Sequence, residues 1–360
     1  GVLGWVCIAK KGEFNVGDMA VYIEIDSKCP ETDERFAFLA NKKFKVKTMK
    51  LGKFKVISQG LALPLSLFPE LQDRNIGDDV TEALKITYAS EEDAARKTNK
   101  IDPNAKYKSM AKRRPKLFAN PIVRRIMRYS IGRKIMFLLF GRKKDNPKKF
   151  PDWIVKTDET RIENAPFYLQ STEKWIKTEK CDGTSCTFAV DRLKKGKNKF
   201  DFIVCSRNVR QADREQACYH ESNIYWELAD KYDIEKILTQ FATENDYNRV
   251  VLQGEGVGSV QGNPYKFTEN KLFVFNLIID GTRLGTVEMA DFCKSHGLTS
   301  VPIIDTAYEL PKTMEEMKLE ADGYSELNPK VKREGFVYRD ISGQKSFKNV
   351  SREYLLKHNG

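Results

Sequence analysis

The chain has 360 residues, 41% hydrophobic and 31% charged, with a net charge of +12. That length suits two or three domains with a substantial core, and the balance reads as soluble and globular. The longest apolar run, Ile135 to Phe140, is six residues, which excludes a bilayer-spanning helix of ~20 residues and any expectation of a membrane partner.

The charge is concentrated. Between Arg96 and Lys149 stand 19 Lys/Arg against Asp102 and Asp145, a net of +17, leaving the rest of the chain at −5. A polyanion such as nucleic acid is the natural partner of such a segment. The seven cysteines are scattered without a CxxC pair, and the three histidines show no zinc-site spacing with them. Reduced thiols in an intracellular protein are the expectation. The chain begins at Gly1 in strand-like sequence, so an upstream piece is expected to be missing and no signal peptide can be read.

Residues 1–88 read as short strands joined by tight turns. Val2 to Ala9, Ala20 to Ile25, Phe44 to Met49, Phe54 to Ser58 and Gly60 to Leu65 are the apolar runs. Several short strands in a compact run predict an OB-like barrel, a fold that binds nucleic acid, with a purely structural barrel as the competitor. Residues 89–149 read as a basic connector carrying a helix from Pro121 to Phe140. Ile122, Ile126 and Tyr129 fall near one face, while Arg124, Arg125 and Arg128 supply charge elsewhere. Those arginines are either solvated or line a nucleic-acid backbone. Lys112-Arg113-Arg114-Pro115-Lys116 is a candidate nuclear targeting patch.

Residues 150–360 read as α+β. Strands are expected at 174–180, 185–190, 199–206, 249–254, 272–279, 334–339 and 345–350. Helices are expected over Asn223 to Phe241 and over Thr286 to His296, the second stopped by Gly297. Thr313 and Glu316 fit a capping box.

The chemistry centres on Lys180-Cys181-Asp182-Gly183, between two strands. A lysine amine can attack a nucleotide phosphate and form a lysyl–nucleotide intermediate. In extended chain Lys180 and Asp182 share a face and Glu179 points away. Gly183 lets the chain pass close to a ligand. Downstream, Arg207 follows a strand, where it can clamp a phosphate. Val250 to Gly258 is a strand running into a glycine-rich turn, but Asn263-Pro264-Tyr265 follows instead of a helix, which excludes a Rossmann site. Glu255 is left as a carboxylate at the strand end. Phe273 and Phe275 share one face of the next strand, for core packing or for stacking on a base. Glu334, Lys345 and Lys348 flank the last two strands, each also readable as an exposed charge.

Taken in order, Lys180-Cys-Asp-Gly, Ser-Arg207-Asn, Gly-Glu255-Gly, Phe-Val-Phe275, Glu334-Gly-Phe-Val-Tyr-Arg and Ser-Phe-Lys348 resemble the motifs of the covalent nucleotidyltransferase superfamily. The chain resembles an ATP-dependent RNA ligase of the branch with an OB-like domain in front. Lys156-Thr157-Asp158-Glu159-Thr160-Arg161-Ile162 and Leu327-Asn328-Pro329-Lys330 add to the likeness. The resemblance implies an α+β protein: an N-terminal OB-like β-barrel, then a ligase-type nucleotidyltransferase domain with antiparallel sheets over residues 150–360. It implies that Lys180 becomes adenylylated, that Phe275 stacks on adenine, and that Lys348 meets the α-phosphate. Asp182, Glu255 and Glu334 would hold Mg²⁺ or Mn²⁺ through waters. Arg207 would contact phosphate or the nucleic-acid end, and Glu179 and Lys345 would complete the nucleotide site. ATP is the implied AMP donor, RNA or an RNA-containing nicked duplex the implied partner, with Arg124, Arg125 and Arg128 along it, and a monomer the expected state. The metal and Lys348 are expected to favour the neutral amine of Lys180.

Two departures stand out. Relatives often carry Lys-x-Lys at the last motif, where this chain has Val350, and Lys345 is the substitute at a different spacing. Asn276 stands where relatives often have Asp. DNA ligases and capping guanylyltransferases place an OB domain after the last motif, whereas only 12 residues follow Lys348. Both are disfavoured on that ground. A non-catalytic nucleic-acid-binding protein is the alternative from another class.

Overall fold

The computed structural model describes residues 4–51, 56–88, 115–140, 148–193, 199–211 and 223–358. In the N-terminal part, β1 (Ala20–Ile23) pairs with β5 (Leu61–Pro64), β2 (Ser27–Lys28) with β6 (Thr87–Tyr88) and β3 (Met49–Leu51) with β4 (Val56–Ser58), all antiparallel. Their shared core holds Val21, Ile23, Cys29, Phe36, Leu39, Leu63, Phe68 and Leu71. Phe36 and Leu39 come from a 3₁₀ helix, Glu34–Lys42, that strand periodicity did not anticipate.

The first expected strand does not form over residues 4–9. That segment is held by single bonds, from the Gln59 amide to the Val6 carbonyl (2.7 Å) and from the Ile8 amide to the Ser58 hydroxyl (3.0 Å). Trp5 instead turns toward the C-terminal domain and is fully buried, its indole N–H donating to Asn164 Oδ1 at 2.6 Å. The Gly4 amide donates to the Glu163 carbonyl at 3.1 Å. Likewise Phe44 to Thr48 makes only isolated bonds, and pairing starts at Met49. Phe54 lies outside the described residues.

The expected helix from Pro121 to Phe140 is two helices. With α1 (Pro115–Ala119) in front, α2 (Pro121–Arg128) and α3 (Ser130–Phe140) are separated by Tyr129, whose backbone is extended. Asn120 caps α2 by accepting the Ile122 amide at 2.9 Å, and Pro121 fits the first turn, where no amide partner is needed. Lys112 to Arg114 of the candidate targeting patch lie outside the described residues.

The C-terminal part is built on two antiparallel sheets. The larger has the order β14-β13-β12-β9-β10-β11-β7. Its members are β7 (Lys148–Lys149), β9 (Thr184–Arg192), β10 (Phe200–Cys205), β11 (Val209–Arg210), β12 (Arg249–Val257), β13 (Lys271–Ile279) and β14 (Thr282–Arg283). The smaller has the order β15-β8-β16-β17, from β8 (Trp175–Glu179), β15 (Ile303–Tyr308), β16 (Gly335–Asp340) and β17 (Ser346–Val350). The seven expected strands agree with these to within three residues at each end.

Period-2 alternation explains the larger sheet. Phe188, Val190, Val250 and Leu252 face a core shared with α4 (Ile224–Lys231), α5 (Ile234–Glu244) and α6 (Thr286–Ser295). Ala189 and Val251 face the other side, against Phe150 and Ile154. The single helix expected from Asn223 divides at Asp233, whose φ of 48° is left-handed, a conformation Asp tolerates. The smaller sheet packs Trp175, Phe336, Tyr338 and Phe347 against Met317 of α7 (Met314–Ala321). The Thr313–Glu316 capping box forms as expected. A cluster of Trp5, Ile25, Val350 and Leu355, flanked by Tyr22 and Tyr354, joins the N-terminal domain to β17 and to α8 (Arg352–His358).

Candidate active site

The two C-terminal sheets open onto one cleft of ≈ 920 Å³. Its lining includes Glu179, Lys180, Asp182, Arg207, Glu255, Phe275, Glu334 and Lys348, so eight of the sequence-selected residues meet in one place. Glu24, Ile25 and Asp26 of the N-terminal domain also border it.

Lys180 follows the last residue of β8, and its main chain is fixed by donating to the Gly335 carbonyl at 3.0 Å. Its Nζ lies 2.6 Å from Glu334 Oε1, with 26% of the side chain exposed to the cleft. Burial opposes the ammonium most strongly of any single influence, but Glu334, Glu255 and Asp182 together outweigh it and raise the pKa above the ordinary lysine value. The expectation of a neutral amine is therefore reversed where protein side chains alone surround Lys180. The acids act on the amine more strongly than Lys348 does.

Asp182 is held from two sides that the sequence did not disclose. Its amide donates to the Tyr265 hydroxyl at 2.7 Å, and the Tyr354 hydroxyl bonds its carboxylate. Both tyrosines lie far from the motif in sequence, and only their position near expected turns or ends was visible. Gly183 lines the cleft, and it has a second reason to lack a side chain: a Cβ there would lie 2.3 Å from the Gly256 carbonyl oxygen of β12.

Glu255 sits within β12, which continues to Val257, so the expected glycine-rich turn is strand with a register shift at Gln253/Gly254. Gly254 and Gly256 are needed because Cβ atoms would meet Phe273 O at 2.7 Å and Cys186 Sγ at 2.9 Å. Burial pushes the Glu255 carboxyl up to about 8 against the pull of Lys180, with Glu334 and Asp182 adding to the rise. The Glu334 carboxyl is likewise raised, by burial first. Among the described residues no group of three or more His, Cys, Asp or Glu side chains forms a ready metal cage. Three carboxyl groups around one ammonium nonetheless form an oxygen donor set that fits a small hard cation that keeps its waters, and such a cation would favour their ionised forms.

Phe275 lines the cleft from β13, while Phe273 is packed against Tyr265 and Val301 beneath it. Arg339 donates to the Phe275 carbonyl and pairs with Glu159 at 3.1 Å. Glu179 borders the cleft with both carboxylate oxygens engaged, one by the Ser325 hydroxyl and one by the Glu326 amide at 2.7 Å. Asn276 is buried, donating to Gln253 Oε1 at 2.8 Å, and is not part of the lining.

Lys348 and Arg207 come from opposite walls. Asp158 pairs with both, at 3.1 Å and 2.7 Å. Burial lowers the Lys348 pKa, with Asp158 opposing and Lys180 adding to the fall. Lys345 lies outside the cleft, its Nζ on Glu173 at 2.7 Å. Val350 is buried in the interdomain cluster. The second cation beside Lys348 is Arg161, bridged to it through the backbone and paired with Asp26 at 3.3 Å. Arg124, Arg125 and Arg128 are exposed on α2, away from the cleft lining.

A lysine placed at the end of an interior strand of one sheet, acids converging on it from both sheets, and an aromatic ring and cations in the same cleft define a nucleotidyltransferase of the ligase type. Comparisons agree. The RNA ligase family model matches residues 173–356, and an OB-fold domain model matches residues 1–65. The structure of Naegleria gruberi RNA ligase with pyrophosphate is similar at a TM-score of 0.73 and 30% identity, covering 99% of this chain and 91% of that one. A lysine-to-alanine variant of that ligase with ATP and Mn gives 0.72 and 28%, covering 99% and 92%. A lysine-to-methionine variant with AMP and Mn gives 0.73 and 29%, again covering 99% and 92%. No curated protein matches in sequence. The chain belongs to the RNA ligase family. Among the described residues no helix is long and apolar enough to cross a membrane.

Proposed function

We propose that the protein is an ATP-dependent RNA ligase that joins a 3′-hydroxyl to a 5′-phosphate through lysyl–AMP and an AMP-capped 5′ end. The observation that carries this reading is Lys180 Nζ at the cleft surface, 2.6 Å from Glu334, with Glu255, Asp182, Phe275 and Lys348 lining the same space. The solved relatives with ATP, AMP and pyrophosphate support it.

In the first step Lys180 Nζ attacks the α-phosphate; an N–P bond forms and the P–O bond to pyrophosphate breaks. Glu334 holds the Lys180 ammonium in place until the proton leaves. Phe275 offers its ring to the base, and Arg339 fixes the Phe275 backbone from behind. Lys348 and Arg207 present positive charge to phosphate oxygens. Tyr265 and Tyr354 hold Asp182 in register with Lys180. A divalent cation at Asp182, Glu255 and Glu334, Mg²⁺ or Mn²⁺, supplies charge neutralisation on the phosphate when bound. AMP then passes to a 5′-phosphate, and a 3′-hydroxyl displaces it.

RNA is the partner class that the family implies. An RNA-containing nicked duplex lying along Arg124, Arg125 and Arg128, a monomeric enzyme and an intracellular home are the finer parts of the reading. The last is supported by free thiols at all six described cysteines. The division into 1–88, 89–149 and 150–360 belongs to the same proposal. Sealing assays on matched RNA and DNA nicks test it: joining is expected for RNA-containing nicks, and efficient sealing of all-DNA nicks alone would contradict it.

A further inference from the structure

Asp158 lies in a segment whose residues Thr157, Asp158, Glu159 and Arg161 line the cleft. Thr157 and Ser185 exchange a hydroxyl bond at 3.1 Å. Glu159 pairs with Arg339 and accepts from Ser346. The Thr160 carbonyl accepts the Lys348 amide at 2.8 Å, and Arg161 reaches Asp26. The backbone on both sides of Asp158 is thus tied to both C-terminal sheets and to the N-terminal domain. Its own side chain is 63% exposed and is bound to nothing but cations: Oδ1 to Lys348 and Oδ2 to Arg207.

We propose that Asp158 is an internal counter-anion, filling the place between Lys348 and Arg207 that a polyphosphate takes and competing with pyrophosphate for those two cations. Lys348 stands on β17 of the smaller sheet and Arg207 follows β10 of the larger, so one carboxylate bridges the two walls. A carboxylate offers two oxygens and one charge. Pyrophosphate offers more of both, so it displaces Asp158 on binding. As pyrophosphate departs, Asp158 re-forms its two ion pairs, which removes the cations' hold on the leaving group and disfavours its return. The side chain can swing without the backbone, because its exposure leaves room and its neighbours hold the chain. The pull of both cations keeps the Asp158 carboxyl below its usual value against the opposing effect of burial, so it stays charged.

The inference rests on the reading that Lys348 and Arg207 face phosphate. The test uses the full-length chain carrying Lys180→Ala, which cannot accept AMP, and inorganic pyrophosphate with Mg²⁺ in titration calorimetry. Adding Asp158→Asn or Asp158→Ala is expected to tighten pyrophosphate binding roughly 3- to 10-fold, as removal of two exposed ion pairs allows. The gain should shrink as salt rises. A purely structural role moves affinity the other way or not at all, so equal or weaker binding in both variants overturns the proposal. In the Lys180 protein, Asp158→Asn should also make pyrophosphate a stronger inhibitor of lysine adenylylation by a similar factor, and unchanged inhibition counts against it. If the unaltered protein is labelled by ATP while these affinities do not move, the counter-anion idea alone fails. Absence of any label on the unaltered protein defeats the ligase reading instead.

Discussion

Lys180 Nζ and Glu334 Oε1 form a 2.6 Å ion pair inside the cleft, so the nucleophile rests as an ammonium gripped by an acid. Glu334, Glu255 and Asp182 raise its pKa against burial. These three acids would hold a divalent cation, whose charge would weaken their grip on the ammonium and ease its loss of a proton. The rate of lysine adenylylation is therefore expected to rise with pH, with an apparent pKa that moves downward as Mg²⁺ or Mn²⁺ is raised. Single-turnover rates across pH at several metal concentrations measure this. An apparent pKa independent of metal would break the link.

Glu255 carries a stability cost with a definite sign. Its carboxyl is raised to about 8 in the folded protein, against an ordinary value of 4.5. Above 4.5 the unfolded chain releases this proton while the folded chain keeps it, so stability falls as pH rises until the folded carboxyl titrates. Glu255→Gln removes that loss. Its Tm should match the parent near pH 4.5 and exceed it by several degrees at pH 8, read by thermal melts without metal. An advantage that does not grow with pH would contradict the assignment.

Gly183 packs its α-carbon against the Gly256 carbonyl, where a Cβ would stand at 2.3 Å. Gly183→Ala must move backbone on one of two strands. A stability loss of about 1–3 kcal/mol follows from such overpacking. Because Lys180 and Asp182 lie in the same short segment leading to Gly183, adenylylation should fall at least ~10-fold as well. Melting and labelling together check it; an unchanged Tm with a normal rate would show that the strands relax freely around the added methyl.

Arg124, Arg125 and Arg128 are exposed on α2, so reversing their charge should leave the fold intact. RNA binding is expected to weaken, and the slope of log affinity against log salt to flatten by about 1 for each phosphate that is no longer neutralised. Equal binding at low and high salt would remove α2 from the RNA path.

The C-terminal sheets were legible because their strands alternate: Val250 and Leu252 against Val251 can only be read with period 2. The site was legible because its residues stand in a set order along the chain, Lys180 and Arg207 after strands, Glu255, Phe275 and Lys348 within them and Glu334 just before one. What stayed hidden depends on partners distant in sequence. Trp5 looks like a strand residue until Asn164 captures its indole and the Glu163 carbonyl takes the amide of Gly4 beside it. Tyr265 and Tyr354 carry no local sign that they grip Asp182. Lys345 has the right charge, but β17 starts at Ser346 and Glu173 draws the side chain away. Val350, a departure in the motif, is explained by the interdomain cluster it joins. Asp233 divides the expected helix through its left-handed backbone, which periodicity does not report.

The most direct test of the central claim is incubation of the full chain with α-labelled ATP and a divalent cation, followed by a denaturing gel and mass spectrometry of the labelled peptide. AMP is expected on Lys180, and the label is expected to be lost in Lys180→Ala. No covalent label, label from GTP but not ATP, or label that survives Lys180→Ala would contradict it.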